Sequence, residues 1–236
     1  KGDPHAIHFV NENLGFACGE EAGRGVMYRT TNGGNNWTKF YTSDLDAQWI
    51  LDIFFVDENV GYALQQNGIY GKVLKTTNGG QDGTEYNLSG YRGRSIYFLT
   101  PEKGFIVGGV NGNEINGEGT GVFYKTINAG QTWEVVSLPN STYNQHLSYF
   151  NKIHFINSEL GFIAGDNSIF ITQNGGDSWI NKSDNFRVWN EYEGKYGFPF
   201  ANTLTGTDQA NWFAACSGGI RKTNNAGETW EWATIP

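Results

Sequence analysis

The sequence predicts an all-β protein, a single five-bladed β-propeller over residues 1–236 made of four-stranded antiparallel blades. Three observations carry this. One turn recurs five times at a nearly fixed period, each repeat holds four short strand-like runs, and no long helical period occurs anywhere. The copies run Thr30-Thr-Asn32-Gly-Gly34-Asn-Asn-Trp37, Thr76-Thr-Asn78-Gly-Gly80-Gln-Asp-Gly83 and Thr126-Ile-Asn128-Ala-Gly130-Gln-Thr-Trp133. Thr172-Gln-Asn174-Gly-Gly176-Asp-Ser-Trp179 and Thr223-Asn-Asn225-Ala-Gly227-Glu-Thr-Trp230 complete them. The Asn-to-Asn steps are 78−32=46, 128−78=50, 174−128=46 and 225−174=51. A period in this range marks a radial or solenoid array.

The first repeat shows the unit. Ile7-His-Phe9-Val alternates as a strand, and Asn11-Glu-Asn-Leu turns into a second strand, Gly15-Phe16-Ala-Cys18. Gly25-Val-Met-Tyr28-Arg-Thr30 is the third strand and Trp37-Thr-Lys-Phe40 the fourth, with the repeated turn between them. The next three repeats keep the same grammar. Phe55, Phe98 and Phe155, like Phe9, each precede by six positions a glycine followed by an aromatic: Gly61-Tyr62, Gly104-Phe105 and Gly161-Phe162. The fifth repeat departs, with Gly206 in the Phe place and Trp212-Phe213 in the Gly-aromatic place, so its first strand is expected to be weak. The blades are expected at about 5–42, 49–88, 94–138, 150–183 and 200–236. Trp230-Glu-Trp-Ala completes the last, and closure would rest on packing of blades one and five; the rival reading is a fragment of a larger propeller.

The turn is expected to be structural. Gly after Asn suits positive φ, the Asn side chain accepts from nearby backbone N–H groups, and the Trp packs a large ring over the turn. Gly83 replaces that Trp in repeat two, where a poorer clasp is expected. The motif resembles the Asp-box, Ser/Thr-x-Asp-x-Gly-x-Thr-Trp, of sialidase-type propellers, with Asn at the Asp place in all five copies. With the flanking Phe-x-x-x-x-x-Gly-aromatic pattern, it is most similar to the photosystem II assembly-factor class. Xyloglucanases and sortilin-like receptors carry related boxes. The resemblance implies a propeller with Asp-box-like turns between strands three and four. The assembly-factor class is expected to have seven blades against the five read here.

Bulk composition narrows the function classes. The net charge of −8 argues against a nucleic-acid partner. No run of about 18 apolar residues is present, which excludes a membrane-inserted helix. The start at Lys1-Gly-Asp-Pro fits a processed chain, and a secreted, periplasmic or cell-surface monomer is expected. Cys18 and Cys216 form no metal pattern; they read as small buried hydrophobes, with a closing disulfide as the alternative. His5, His8, His146 and His154 have no metal spacing, and the polar loop Asn111–Gly119, carrying Glu114 and Glu118, lacks EF-hand order. No metal and no cofactor are expected.

Blade topology places the turns of strands one–two and three–four on one face, and the variable two–three and blade-to-blade loops on the other. The variable face is where function is expected. Its candidate ligand-binding residues are Trp49, Tyr91, Arg92, Arg94, Tyr143, His146, Arg187, Trp189 and Tyr192. Aromatic rings among arginines suit sugar stacking or protein anchoring, and the arginines suit a carboxylate or sulfate. The leading reading is a non-catalytic exported binding or assembly propeller whose partner is a polysaccharide or a protein. The alternative is a glycoside hydrolase, which needs two carboxylates about 5–9.5 Å apart; Asp46, Asp52, Glu191 and Glu193 are the candidates from loops.

Overall fold

The computed structural model describes residues 2–110, 120–139, 149–166, 168–190, 195–197 and 200–234. Five four-stranded antiparallel sheets follow one another along the chain as propeller blades, each in the order of its sequence. The first holds β1 (Asp3–Phe9), β2 (Gly15–Glu21), β3 (Arg24–Thr30) and β4 (Thr38–Thr42). The second holds β5 (Ile50–Phe55), β6 (Gly61–Asn67), β7 (Tyr70–Thr76) and β8 (Thr84–Asn87). The third holds β9 (Gly93–Phe98), β10 (Gly104–Val110), β11 (Thr120–Thr126) and β12 (Glu134–Val135). The fourth holds β13 (Phe150–Phe155), β14 (Gly161–Gly165), β15 (Ser168–Thr172) and β16 (Ile180–Asn181). After a 3-10 turn at Ser183–Phe186, β17 (Val188–Asn190) pairs with β18 (Lys195–Gly197) in a small ribbon. The last blade holds β19 (Ala201–Gly206), β20 (Trp212–Cys216), β21 (Gly219–Thr223) and β22 (Glu231–Trp232). No helix of the described residues is long and apolar enough to cross a membrane.

The chain divides into two compact units: Lys1–Ile106 with Tyr124–Val135, and Val107–Phe123 with Val136–Pro236. Within the first, β5 packs beside both β1 and β9; within the second, β13 packs beside β19. Blade-to-blade packing in the first unit is aromatic. Phe16 of β2 stacks on Phe55 of β5 at 3.4 Å between ring centroids, and Tyr62 of β6 stacks on Phe98 of β9 at 4.0 Å. Stacked rings contribute about 0.5–1.5 kcal/mol beyond the area they bury.

Each glycine that opens a second strand makes room for the first-strand Phe. A Cβ on Gly15, Gly61, Gly104 or Gly161 would lie within 2.7 Å of the ring of Phe9, Phe55, Phe98 or Phe155 respectively. Blade five exchanges the two positions. Trp212, 1% exposed, lies over Gly206, whose Cβ would come 2.6 Å from the indole. The expected weakness of its first strand is therefore corrected: β19 spans six residues and pairs with β20 from Ala201 to Gly206. The large ring has moved one strand over and fills the same space.

The repeated turn is a side-chain clasp. In blade four the Thr172 hydroxyl donates to Asn174 Oδ1 (2.9 Å) and accepts from the backbone N–H groups of Asn174 and Gly176. Asn174 Oδ1 also accepts from Ser178 N at 3.0 Å. The same bonds recur at Asn32, Asn78, Asn128 and Asn225. Each turn has two consecutive left-handed residues, Gly-Gly in three copies and Ala129-Gly130 or Ala226-Gly227 in the others. Every such turn also donates one N–H to the turn between strands one and two, as from Gly33 to Asn13 O and from Gly175 to Glu159 O, both at 2.9 Å. These bonds put the two turn types on one face of each blade. Neither cysteine is in a disulfide: Cys18 is buried in the first unit's core, and Cys216 donates to Ala214 O.

Candidate binding face

The opposite face, in the first unit, carries the blade-to-blade loops 43–49 and 88–92, both tied to the two–three hairpin of a blade. In the first unit Ala47 N donates to Gly23 O, Gln66 N to Trp49 O and Arg92 N to Ile69 O, all at 2.8–3.0 Å. Ser43, buried, closes the first loop by accepting from Gly25 N and donating to Leu45 O. The backbone of this face is thus fixed by hydrogen bonds, and variation is left to the side chains.

The candidates fall in different surroundings. Trp49 is half-buried at the start of blade two. Tyr91 is half-buried, and its carbonyl accepts the Tyr124 hydroxyl at 2.7 Å; burial pushes that phenol up to about 12. Arg92 is buried at 7% exposure, and one guanidinium nitrogen donates to Gly68 O at 2.9 Å. It holds the loop down. Arg94 is exposed on β9. In the second unit Arg187 is half-buried beside the 3-10 turn and bonds Asp184 O, and Trp189 lies on β17 opposite Tyr196. Tyr143, His146, Glu191, Tyr192 and Glu193 lie outside the described residues, as does the Asn111–Gly119 loop.

The two described carboxylates differ in kind. Asp46 is exposed and pairs with Arg24 at 3.1 Å. Asp52 is not on a loop, as the sequence reading has it, but within β5 at 4% exposure. A register shift between Ile50 and Asp52 makes a bulge there. Its oxygens accept from Ile53 N (3.1 Å) and from Ile96 N of β9 (3.0 Å), so it links two neighbouring first strands. Among the described residues no group of three His, Cys, Asp or Glu side chains is placed to hold a metal.

Sequence reasoning passed over the row of rings along the first strands. His8, Phe54 and Tyr97 occupy the same place, one before the marker Phe, in blades one to three. The rings run His8 to Phe54 at 4.5 Å and Phe54 to Tyr97 at 5.2 Å. His8 Nε2 donates to Phe55 O and His5 Nδ1 bonds Ile50 O, tying β1 to β5. Burial raises the Tyr97 phenol above its usual range. A second missed residue is Arg221 of β21, 4% exposed, which lies over the Phe186 ring at 4.7 Å and donates to Phe186 O and Trp230 O. It anchors the connection that carries Arg187.

A family model described as photosynthesis system II assembly factor YCF48 matches residues 91–235. No match is found among curated proteins. Among solved structures, YCF48 bound to D1 peptide is similar over 100% of this chain and 69% of its own, with a TM-score of 0.66 at 16% identity. YCF48 from Cyanidioschyzon merolae is similar over 98% of this chain and 85% of its own, with a TM-score of 0.55 at 14% identity. The GH74 xyloglucanase from Xanthomonas campestris is similar over 100% of this chain but 38% of its own, with a TM-score of 0.66 at 13% identity. At such identities these likenesses bear on the fold alone.

Proposed function

The chain belongs to the photosynthesis system II assembly factor YCF48 family, and on that premise we propose that it is a non-catalytic partner-binding propeller that grips a protein segment with its variable loop face. The observation that carries this is the reach of the family match. Residues 91–235 include the candidates Tyr91 and Arg94 of the first unit and Arg187 and Trp189 of the second. A YCF48 structure holds a D1 peptide, which makes a peptide the natural first ligand class to test here. Exposed Arg94 suits a carboxylate on the segment, and half-buried Trp49 and Tyr91 suit its apolar side chains. A glycan is the second ligand class, and an exported monomer is part of the proposal.

The glycoside hydrolase reading has weaker support. Asp52 is engaged by two backbone N–H groups and Asp46 by Arg24, so neither is poised as an acid or a nucleophile. The test is affinity capture on the immobilised chain from extracts of the source cells, in parallel with a glycan array and polysaccharide turnover assays. A retained protein partner whose affinity falls by about tenfold in Arg94→Ala, with the melting temperature unchanged, is the expected result. Turnover of a polysaccharide with no protein retained sinks the proposal. Cell fractionation reads the exported setting, and sedimentation the monomer.

A further inference from the structure

Four of the five clasps end in an indole, and the fifth ends in Gly83. Trp37, Trp133 and Trp179 each set an edge against the first-strand Phe of their own blade, at 6.1, 5.9 and 6.0 Å between centroids. Trp179 also meets Phe123 at 5.6 Å. Trp230 lies tilted beside Trp212 at 6.5 Å and meets Phe186 edge-on at 4.9 Å. In blade two the same position is Gly83, yet Phe55 is still present to receive a ring. Beside it lies a cavity of about 200 Å³ lined by Met27, Phe40, Phe55, Tyr62 and Leu74, with Lys75, Asp82 and Glu85 at its rim. All these residues belong to the first unit.

The neighbourhood has adjusted only in part. At Gly34, Gly130 and Gly227 a Cβ would have the blade's own indole at 3.4–3.8 Å, with Tyr62 and Trp212 nearer still, at 2.8 Å, at the last two. At Gly80, the equivalent glycine, it would instead meet Phe40 of the preceding blade at 2.5 Å. The Phe40 ring thus covers part of the place that an indole takes beside the other glycines, and the cavity it helps to line is the space left over. An enclosed apolar cavity of about 150 Å³ takes up benzene from water, and this cleft, open to solvent on one side, has a volume of about 200 Å³.

We propose that this cavity is a binding site for an indole ring, supplied by a tryptophan side chain of a partner chain. The ligand class is read from the protein itself, because three sister slots hold that ring against a first-strand Phe equivalent to Phe55, and the fourth holds it against Trp212. The site lies among the clasp turns, on the face opposite the variable loops, and stands independently of the function proposed above.

The experiment is calorimetric titration of the intact chain with free indole and, separately, with N-acetyl-tryptophanamide, a blocked tryptophan. Both probes are expected to bind saturably and to raise the melting temperature. Gly83→Trp fills the slot from within: a side chain there needs no left-handed backbone, and its Cβ would have the Lys75 carbonyl as its nearest neighbour, a close 3.2 Å from the oxygen. That variant is expected to melt higher and to lose at least about tenfold in affinity for both probes. Binding unchanged in Gly83→Trp, or no binding to the parent chain, overturns the proposal. Free indole binding without the blocked tryptophan overturns the partner side chain as its source. If Gly83→Trp does not fold, Phe40→Leu, which enlarges the slot, is expected to raise indole affinity severalfold, and an unchanged affinity counts against the site.

Discussion

A single buried hydroxyl organises each clasp. Thr172, 0% exposed, donates once and accepts twice within one turn. Thr172→Val keeps the shape and strands those groups, so it should cost roughly 2–4 kcal/mol, read as a lower denaturation midpoint at unchanged slope. Thr172→Ser keeps the hydroxyl and should lose less than about 1 kcal/mol. The need for Asn in place of Asp is visible in the other half of the amide. Nδ2 of Asn128, Asn174 and Asn225 donates to a hydroxyl four residues on, at 2.8–2.9 Å. At this scale the sequence was highly legible, because five copies of one turn average out accident. The exchange of Gly206 and Trp212 was not, because a ring that crosses to the neighbouring strand breaks the linear pattern while keeping the packing.

Among elements, the first strands carry the most information and were the hardest to read. Bulges at four of them, β1, β5, β13 and β19, shift the register and upset the simple alternation that sequence reading relies on. That is why Asp52 read as a loop acid and is a buried link between β5 and β9. His154 on β13 shows a second effect of this position. Burial, with Lys152 adding to it, holds its imidazole below the usual histidine range. The folded state therefore binds fewer protons than the unfolded chain, and stability rises with pH through this window. The contribution is complete above about pH 6.5, the unfolded value, and is lost as pH falls towards the lower folded value. Melting temperatures taken between about pH 7.5 and 5 should fall, and His154→Gln should flatten part of that slope.

For the whole molecule, the repeat fixes which residues should be equivalent and so makes the exceptions measurable. Phe16, Tyr62, Phe105 and Phe162 are at most 1% exposed, whereas Phe213, their counterpart in blade five, is 39% exposed. Phe9 of blade one is 41% exposed, against 3–5% for Phe55, Phe98 and Phe155. Phe162→Ala should therefore cost about 3–5 kcal/mol and Phe213→Ala about 1 kcal/mol, compared by denaturant titration. Equal losses would mean that the last blade's face is covered in solution. The number of blades, their grammar and the two faces were all readable from the period. The chemistry of the variable face was not, since its loops share no pattern and several of its candidates fall outside the described residues. The clasp has one further consequence, for chemical ageing. Asn-Gly pairs deamidate when the glycine nitrogen attacks the side-chain amide. Here the nitrogens of Gly33, Gly79 and Gly175 are each committed to a carbonyl of the facing turn. Folded clasps are thereby shielded and opened ones are not, so the slow gain of aspartate at these three asparagines records how often each blade has let go.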